Sequence, residues 1–168
     1  MMNVELESMA IEMPPVEGHP NREAFRGVLT MVDQASDKAP SGARGHRVVL
    51  TRAAAEDALP SLLGMALDYA LTFDRHDARR KVGVITKAEI VGRSVQLGGY
   101  LFAKDFPEIV AEVKRAGAAL GMSYELADAL VADVRESVWT LTKVTFTGAA
   151  ILRRDKAAYR ETWIELGE

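Results

Sequence analysis

Two residues of this chain could together break a peptide bond. His76 sits in "TFDRHDARRKVGV", a polar, turn-forming stretch, and Ser123 sits in "ALGMSYEL" directly after a glycine-methionine pair. An imidazole with an ordinary pKa near ~6.5 can take the proton of a hydroxyl and hand it to a leaving amine. Serine needs that help, because its hydroxyl is a weak nucleophile until a base is bonded to it. Gly121, just upstream, lets backbone N–H groups come close to a reacting carbonyl. Each residue also has a plain reading. His76 beside Asp74 and Asp77 is equally a surface histidine, and Ser123 is equally the first hydroxyl of a strand. The two lie far apart in sequence, so only tertiary structure can join them.

The elements that would position them follow from periodicity and turn chemistry. Residues 4–13 mostly alternate apolar and polar, as a half-buried strand does, and 14–23 hold three of the six prolines and read as a loop. Residues 24–33 read as a strand, and the small, polar 34–47 segment as an exposed, mobile loop. "VVL" at 48–50 is a short strand before a helix that Thr51 can cap and Pro60 can bend or split. Residues 81–103 form the clearest β-hairpin, with "VGRS" as its turn. Residues 105–120 read as a helix, with Asp105 and Glu108 as a capping box and Pro107 in its first turn. Its stripe of Phe106, Ile109, Val110, Val113 and Leu120 is core. Two further strands follow at 122–131 and 137–152. Trp139 and Trp163 are packing residues. Strands outnumber helices and often follow one another directly, which predicts an α+β fold with a mainly antiparallel β-sheet or barrel surrounded by a few helices.

Composition narrows the function. The 168 residues suit one domain, and 48% hydrophobic against 27% charged residues supplies a core. A net charge of −3 argues against a nucleic-acid partner. The chain has no cysteine, which removes disulfides, thiolate metal sites and a cysteine nucleophile. The three histidines, His19, His46 and His76, show no metal-binding spacing, so no metal is expected. No apolar run reaches the roughly 18–20 residues that span a bilayer, and "MMNVELESMAIEMPP" lacks the pattern of a secretory signal.

The blocks "FDRHDARRKVGVI", "VQLGGYLFAKDFPEIV", "ALGMSYEL" and "VWTLTKVTFTGAAILRRDKAAY" occur in an order that resembles the tailed-phage prohead maturation proteases, serine endopeptidases related in fold to the herpesvirus assemblins. The resemblance spans roughly residues 59–159; "LGMSYE" and "TFTGAAILRRDKAAY" are its specific parts. It implies an assemblin-like fold over a single protease domain, 1–168, with the native chain continuing into a scaffold-like extension. It also implies His76 as general base and Ser123 as nucleophile. Substrates would be scaffold protein, capsid protein and the chain itself, cut in the host cytoplasm inside the prohead. Neither a cofactor nor a membrane is implied, and a homo-oligomer stays open.

The family's third catalytic member is an acid on the strand after the serine strand, and the aligned position here is Lys143, which cannot serve as a carboxylate. Asp77, Asp133 and Glu136 are the other candidates for orienting the histidine. A Ser–His dyad is a further option, and so is a catalytically inactive protease-fold scaffold or assembly module of a procapsid. Backbone amides around Gly121 and Met122, or within 148–153, would hold the oxyanion. Arg153 and Arg154 resemble the paired arginines that assemblin-type proteases keep near that site; as a charged pair at a strand end they are also simply solvated.

Overall fold

A computed structural model describes residues 18–167, so the strand expected at 4–13 lies outside the described residues. The chain runs β1 (Glu23–Met31), β2 (Arg47–Leu50), α1 (Arg52–Ala58), β3 (Ala66–Asp68), β4 (Lys81–Val91), β5 (Ser94–Leu101), α2 (Pro107–Ala116), β6 (Leu120–Val131), β7 (Val138–Arg153) and β8 (Trp163–Leu166). The strands form one sheet in the order β2-β7-β3-β4-β5-β1-β8, with β6 on the other edge of β7. That sheet is mixed rather than simply antiparallel. β2 and β3 both pair with β7 in parallel, while β4, β5, β1, β8 and β6 pair antiparallel with their neighbours. The parallel pairings arise because α1 and a following 3-10 turn at 59–62 carry the chain from β2 to β3 on the same side of β7. Strands linked through such a crossover emerge in the same direction.

The sheet curls into a half-barrel. Gly27 on β1 marks where its two ends meet: a Cβ there would lie 2.5 Å from the Trp163 carbonyl oxygen and 2.7 Å from the Met122 sulfur. Only glycine admits that approach of β1 to β6 and β8. The concave side is filled by Leu29, Leu50, Leu67, Ile85, Met122, Phe146 and Ile151, all 1% exposed or less. Burying each stabilises the fold by about 1.5–3 kcal/mol against leaving it in water.

Local chemistry explains most boundaries. Thr51 caps α1, its hydroxyl accepting the Ala54 N–H at 3.1 Å, and Pro60 lies in the first positions of the 3-10 turn that ends the helix. The β4–β5 hairpin turns at Gly92, whose φ of 59° is in the left-handed region. α2 starts at Pro107, and Asp105 is not its cap. The Asp105 carboxylate instead accepts from the Asn21 side-chain amide at 2.9 Å, a partner 84 residues away. Leu120 leaves the helix and opens β6, because the chain turns at Gly117 with φ of 48°. Residues 34–46 lie outside the named strands and helices but are not wholly exposed: Ser36 is fully buried and its hydroxyl accepts the Val48 N–H at 3.0 Å. Among the described residues, no helix is long and apolar enough to cross a membrane.

Candidate active site

The site is built on three strand positions that share one face of the sheet. On β3, Asp68 lies beside Ala150 of β7, and across β7 the residue opposite Ala150 is Ser123 of β6. Laterally paired residues point the same way, so Asp68 and Ser123 project from the same face. Glu125, two residues beyond Ser123 and opposite Gly148, joins them there. The intervening residues, Leu67, Ala149 and Tyr124, turn to the other side, where Tyr124 packs edge-on against Phe146. Burial holds the Tyr124 phenol far above its ordinary pKa, so it stays a neutral packing residue.

After β3 the chain crosses this face. Tyr69 and Ala70 are buried, and the Phe73 N–H donates to the Ala70 carbonyl in a tight turn. The Asp77 N–H then donates to Asp68 Oδ1 at 3.1 Å, fixing the loop one residue after His76. His76 Nδ1 lies 2.8 Å from Glu125 Oε1 and 3.8 Å from Asp68 Oδ1. Asp68 is fully buried, whereas His76 and Glu125 keep about a quarter of their side chains exposed, 27% and 25%. Gly148 makes the room Glu125 occupies, since a Cβ there would come within 3.0 Å of Glu125 Oε2.

The three groups tune one another. Burial would lower the His76 pKa, but Asp68 and Glu125 outweigh it and hold the imidazole above its ordinary value. Burial would raise Asp68, but the neighbouring His76 and Glu125 side chains and the Asp77 amide hold it below the usual carboxylate range. Glu125 is pushed up by burial and by Asp68, with His76 opposing only in part. An ionised Glu125 against Nδ1 selects the tautomer that carries its proton there. That leaves Nε2 as an acceptor, the state a general base needs.

The sequence candidates fall into two groups. His76 reaches the face that carries Ser123 through Glu125, two residues beyond Ser123 on the same strand, although among the described residues no hydrogen bond joins His76 to Ser123. Catalytic hydrogen bonds are often loose without substrate. Lys143 is not brought there. It is exposed, opposite Leu130, and seven residues before Ala150 on β7, roughly 23 Å away at the usual strand rise. Asp133 and Glu136 lie in the β6–β7 turn, where Asp133 pairs with Arg135 at 2.6 Å. The Asp77 carboxylate turns to Arg79 and Arg80 at 3.2 and 3.3 Å.

Of the supporting candidates, Gly121 and Met122 pair with Leu152 and Ile151 on β7, and Met122 is buried. The Arg153 N–H is occupied by the Phe73 carbonyl at 2.7 Å, and the Arg154 N–H by the Ala119 carbonyl at 2.8 Å. The Arg153 side chain pairs with Asp155 at 3.3 Å, while Arg154 Nε is buried without a hydrogen-bond partner.

The sequence reading missed Asp68 and Glu125. Strand alternation alone places Glu125 beside Ser123, and Asp68 is a lone carboxylate in the apolar run "GMALDYAL". Nor does any metal-binding spacing announce it, yet Asp68, His76 and Glu125 bring three ligand atoms within 4.8 Å of one another.

No protein-family model matches the chain, and no curated protein matches it. Solved structures with a similar fold include the Kaposi's sarcoma herpesvirus protease, 15% identical with a TM-score of 0.48, the alignment covering 87% of this chain and 76% of that one. They also include the bacteriophage T4 capsid assembly protease, 12% identical with a TM-score of 0.47, covering 77% of this chain and 97% of that one.

Proposed function

We propose that this chain is a serine endopeptidase that processes scaffold and capsid proteins during viral prohead maturation, with Ser123 as nucleophile, His76 as general base and Glu125 as the acid that orients it. The observation that carries the reading is the 2.8 Å contact between His76 Nδ1 and a carboxylate two residues from Ser123 on the same strand face. The resemblance of the "FDRHDARRKVGVI" and "ALGMSYEL" blocks to prohead proteases supports the same two residues.

In this reading Ser123 Oγ attacks the scissile carbonyl carbon as its proton passes to His76 Nε2. The tetrahedral intermediate collapses, the C–N bond breaks, and His76 protonates the leaving amine. Water then adds to the acyl-serine ester with His76 again taking the proton, which releases the acid and restores the hydroxyl. Glu125 stabilises the imidazolium that forms between steps, and Asp68 holds the loop that carries it. β6 pairs with β7 alone among the described strands, so its other edge carries no strand partner. Main-chain pairing along that edge would lay a substrate across Ser123.

The reading of the chain as an inert assembly module rested on Lys143, which does not face His76. The test is labelling by a fluorophosphonate probe together with cleavage of purified scaffold protein. Wild type should label at Ser123 and cleave, while Ser123→Ala and His76→Ala should do neither. Cleavage by Ser123→Ala at the wild-type rate, or wild type that neither labels nor cleaves, overturns the proposal.

A further inference from the structure

The proposed chemistry does not account for one atom at its centre. Asp68 is 0% exposed, its Oδ1 takes the Asp77 N–H, and its Oδ2 is buried with no hydrogen-bond partner. A buried carboxylate oxygen left bare has lost its water without recompense, and such atoms in native proteins usually have a partner. Next to it stands a second carboxylate, Glu125, and the only nitrogen in the cluster is that of His76. Two acids packed around one imidazole have more negative charge than that ring can neutralise.

We propose that Asp68, His76 and Glu125 form a binding site for a divalent transition-metal cation of the zinc class, and that the cation switches the protease off. The donor set chooses the class. One imidazole nitrogen with two carboxylates suits zinc, whereas magnesium and calcium prefer oxygen alone. The geometry fits after small side-chain rotations. Bonds of about 2.0–2.1 Å in a tetrahedral site put neighbouring donors about 3.3 Å apart. Here the separations from His76 Nδ1 are 2.8 Å to Glu125 and 3.8 Å to Asp68, on either side of that value. Three protein donors leave a fourth position free, and the partial exposure of His76 and Glu125 gives the ion a way in.

Inhibition follows from the two nitrogens of one ring. A cation on Nδ1 uses the lone pair there, so the single proton of the neutral imidazole moves to Nε2. Nε2 then offers Ser123 a donor where catalysis needs an acceptor, and Glu125 is turned from orienting the ring to holding the ion. Cation binding and base catalysis at His76 exclude each other. This consequence rests on the proposed Ser123–His76 chemistry; the binding itself does not.

The test uses the full chain, stripped with a chelator, dialysed, and titrated with Zn2+ by calorimetry, with metal content measured after gel filtration. Wild type and Ser123→Ala should each bind one ion with equal affinity. Glu125→Gln and Asp68→Asn should bind at least tenfold more weakly, with circular dichroism confirming that each is folded. Glu125 is partly exposed, so its variant keeps the test decisive should Asp68→Asn fail to fold. Zn2+ should also stop fluorophosphonate labelling of Ser123, and the chelator should restore it. No binding, or binding unchanged in Glu125→Gln, overturns the site while leaving the protease reading intact if the stripped chain labels. Binding that depends on Glu125, in a stripped chain that never labels, supports the site and removes the protease.

Discussion

Replacing Gly148 with alanine should damage catalysis while sparing the fold. The new methyl group would sit 3.0 Å from Glu125 Oε2 and 3.5 Å from the Ala66 carbonyl oxygen. The second contact is ordinary, and the first asks the carboxylate to retreat by a few tenths of an ångström. Glu125 can do so, because a quarter of its side chain is exposed and its tip is free to swing toward water. The backbone at Gly148 is ordinary strand, so alanine adds no conformational strain, and the folding cost should stay below about 1 kcal/mol, a Tm fall of under ~4 °C at this chain length. The catalytic cost is larger, because the same retreat stretches the 2.8 Å bond to His76 Nδ1 toward the limit of a useful hydrogen bond. We expect about a tenfold loss in kcat/KM, which is ~1.4 kcal/mol of transition-state stabilisation. Glu125→Gln sets the ceiling: neutralising the carboxylate that selects the histidine tautomer has cost about 10⁴-fold in a serine protease triad. The assay is the rate of Ser123 labelling and of peptide cleavage, with thermal unfolding run on the same samples. Unchanged labelling in both variants would refute Glu125 as the group that orients His76. A Tm collapse in Gly148→Ala would refute the claim that the side chain absorbs the contact.

Three further outcomes follow from the structure. Lys143→Ala should leave labelling and cleavage unchanged, since Lys143 is exposed at the far end of β7; a tenfold loss would show that the strand register is wrong. Thr51→Ala removes the side-chain acceptor of the Ala54 N–H and should cost about 1 kcal/mol, seen as a Tm lower by ~2–4 °C with activity intact. The third outcome is a pH dependence, read in chelator-treated protein by urea unfolding of wild type against His76→Ala. Folding raises the His76 pKa, so the stability it contributes is full below the ordinary imidazole pKa and disappears as pH climbs through the raised folded value. Asp68 works with the opposite sign, its depressed folded pKa giving stability that is full above the ordinary carboxylate value and lost as pH falls through the lower one. The wild-type advantage over His76→Ala should therefore shrink toward alkaline pH; an advantage that grows there would contradict the geometry.

Much of the scaffold could be read from local chemistry. The 81–103 hairpin, the Thr51 cap, the break at Pro60 and the long strands β6 and β7 depend on neighbours in sequence, and they stand where periodicity and turn residues put them. What escaped depends on distant partners. Asp105 carries the signature of a cap, but Asn21 competes for it from 84 residues away. β3 is only three residues long, too short for alternation to register, and its parallel pairing with β7 exists only in the folded sheet. Asp68 was hidden for that reason, since its meaning comes from Ala150 and Ser123 beside it. Glu125 was hidden differently. Period two puts it beside Ser123 on any reading of β6 as a strand, but the resemblance drew attention to the following strand and to Lys143.

The same facts make β7 the element on which the site depends. It holds β6 on one edge and β2 then β3 on the other, so it alone sets Ser123 and Asp68 level with each other. Beyond Glu125 the β6–β7 register shifts repeatedly, whereas from Leu120 to Glu125 it is unbroken. The regular part of the ladder is therefore the part that carries the proposed chemistry. A slip of one residue there would turn Ser123 and Glu125 into the core and bring Met122 and Tyr124 out to His76. Met122 is 1% exposed and Tyr124 packs on Phe146, so such a slip would strip two core residues and bury a carboxylate. The packing on one side of β6 thus fixes the geometry on the other, and the apolar residues flanking Ser123 are what keep Ser123 and Glu125 on the face that His76 reaches.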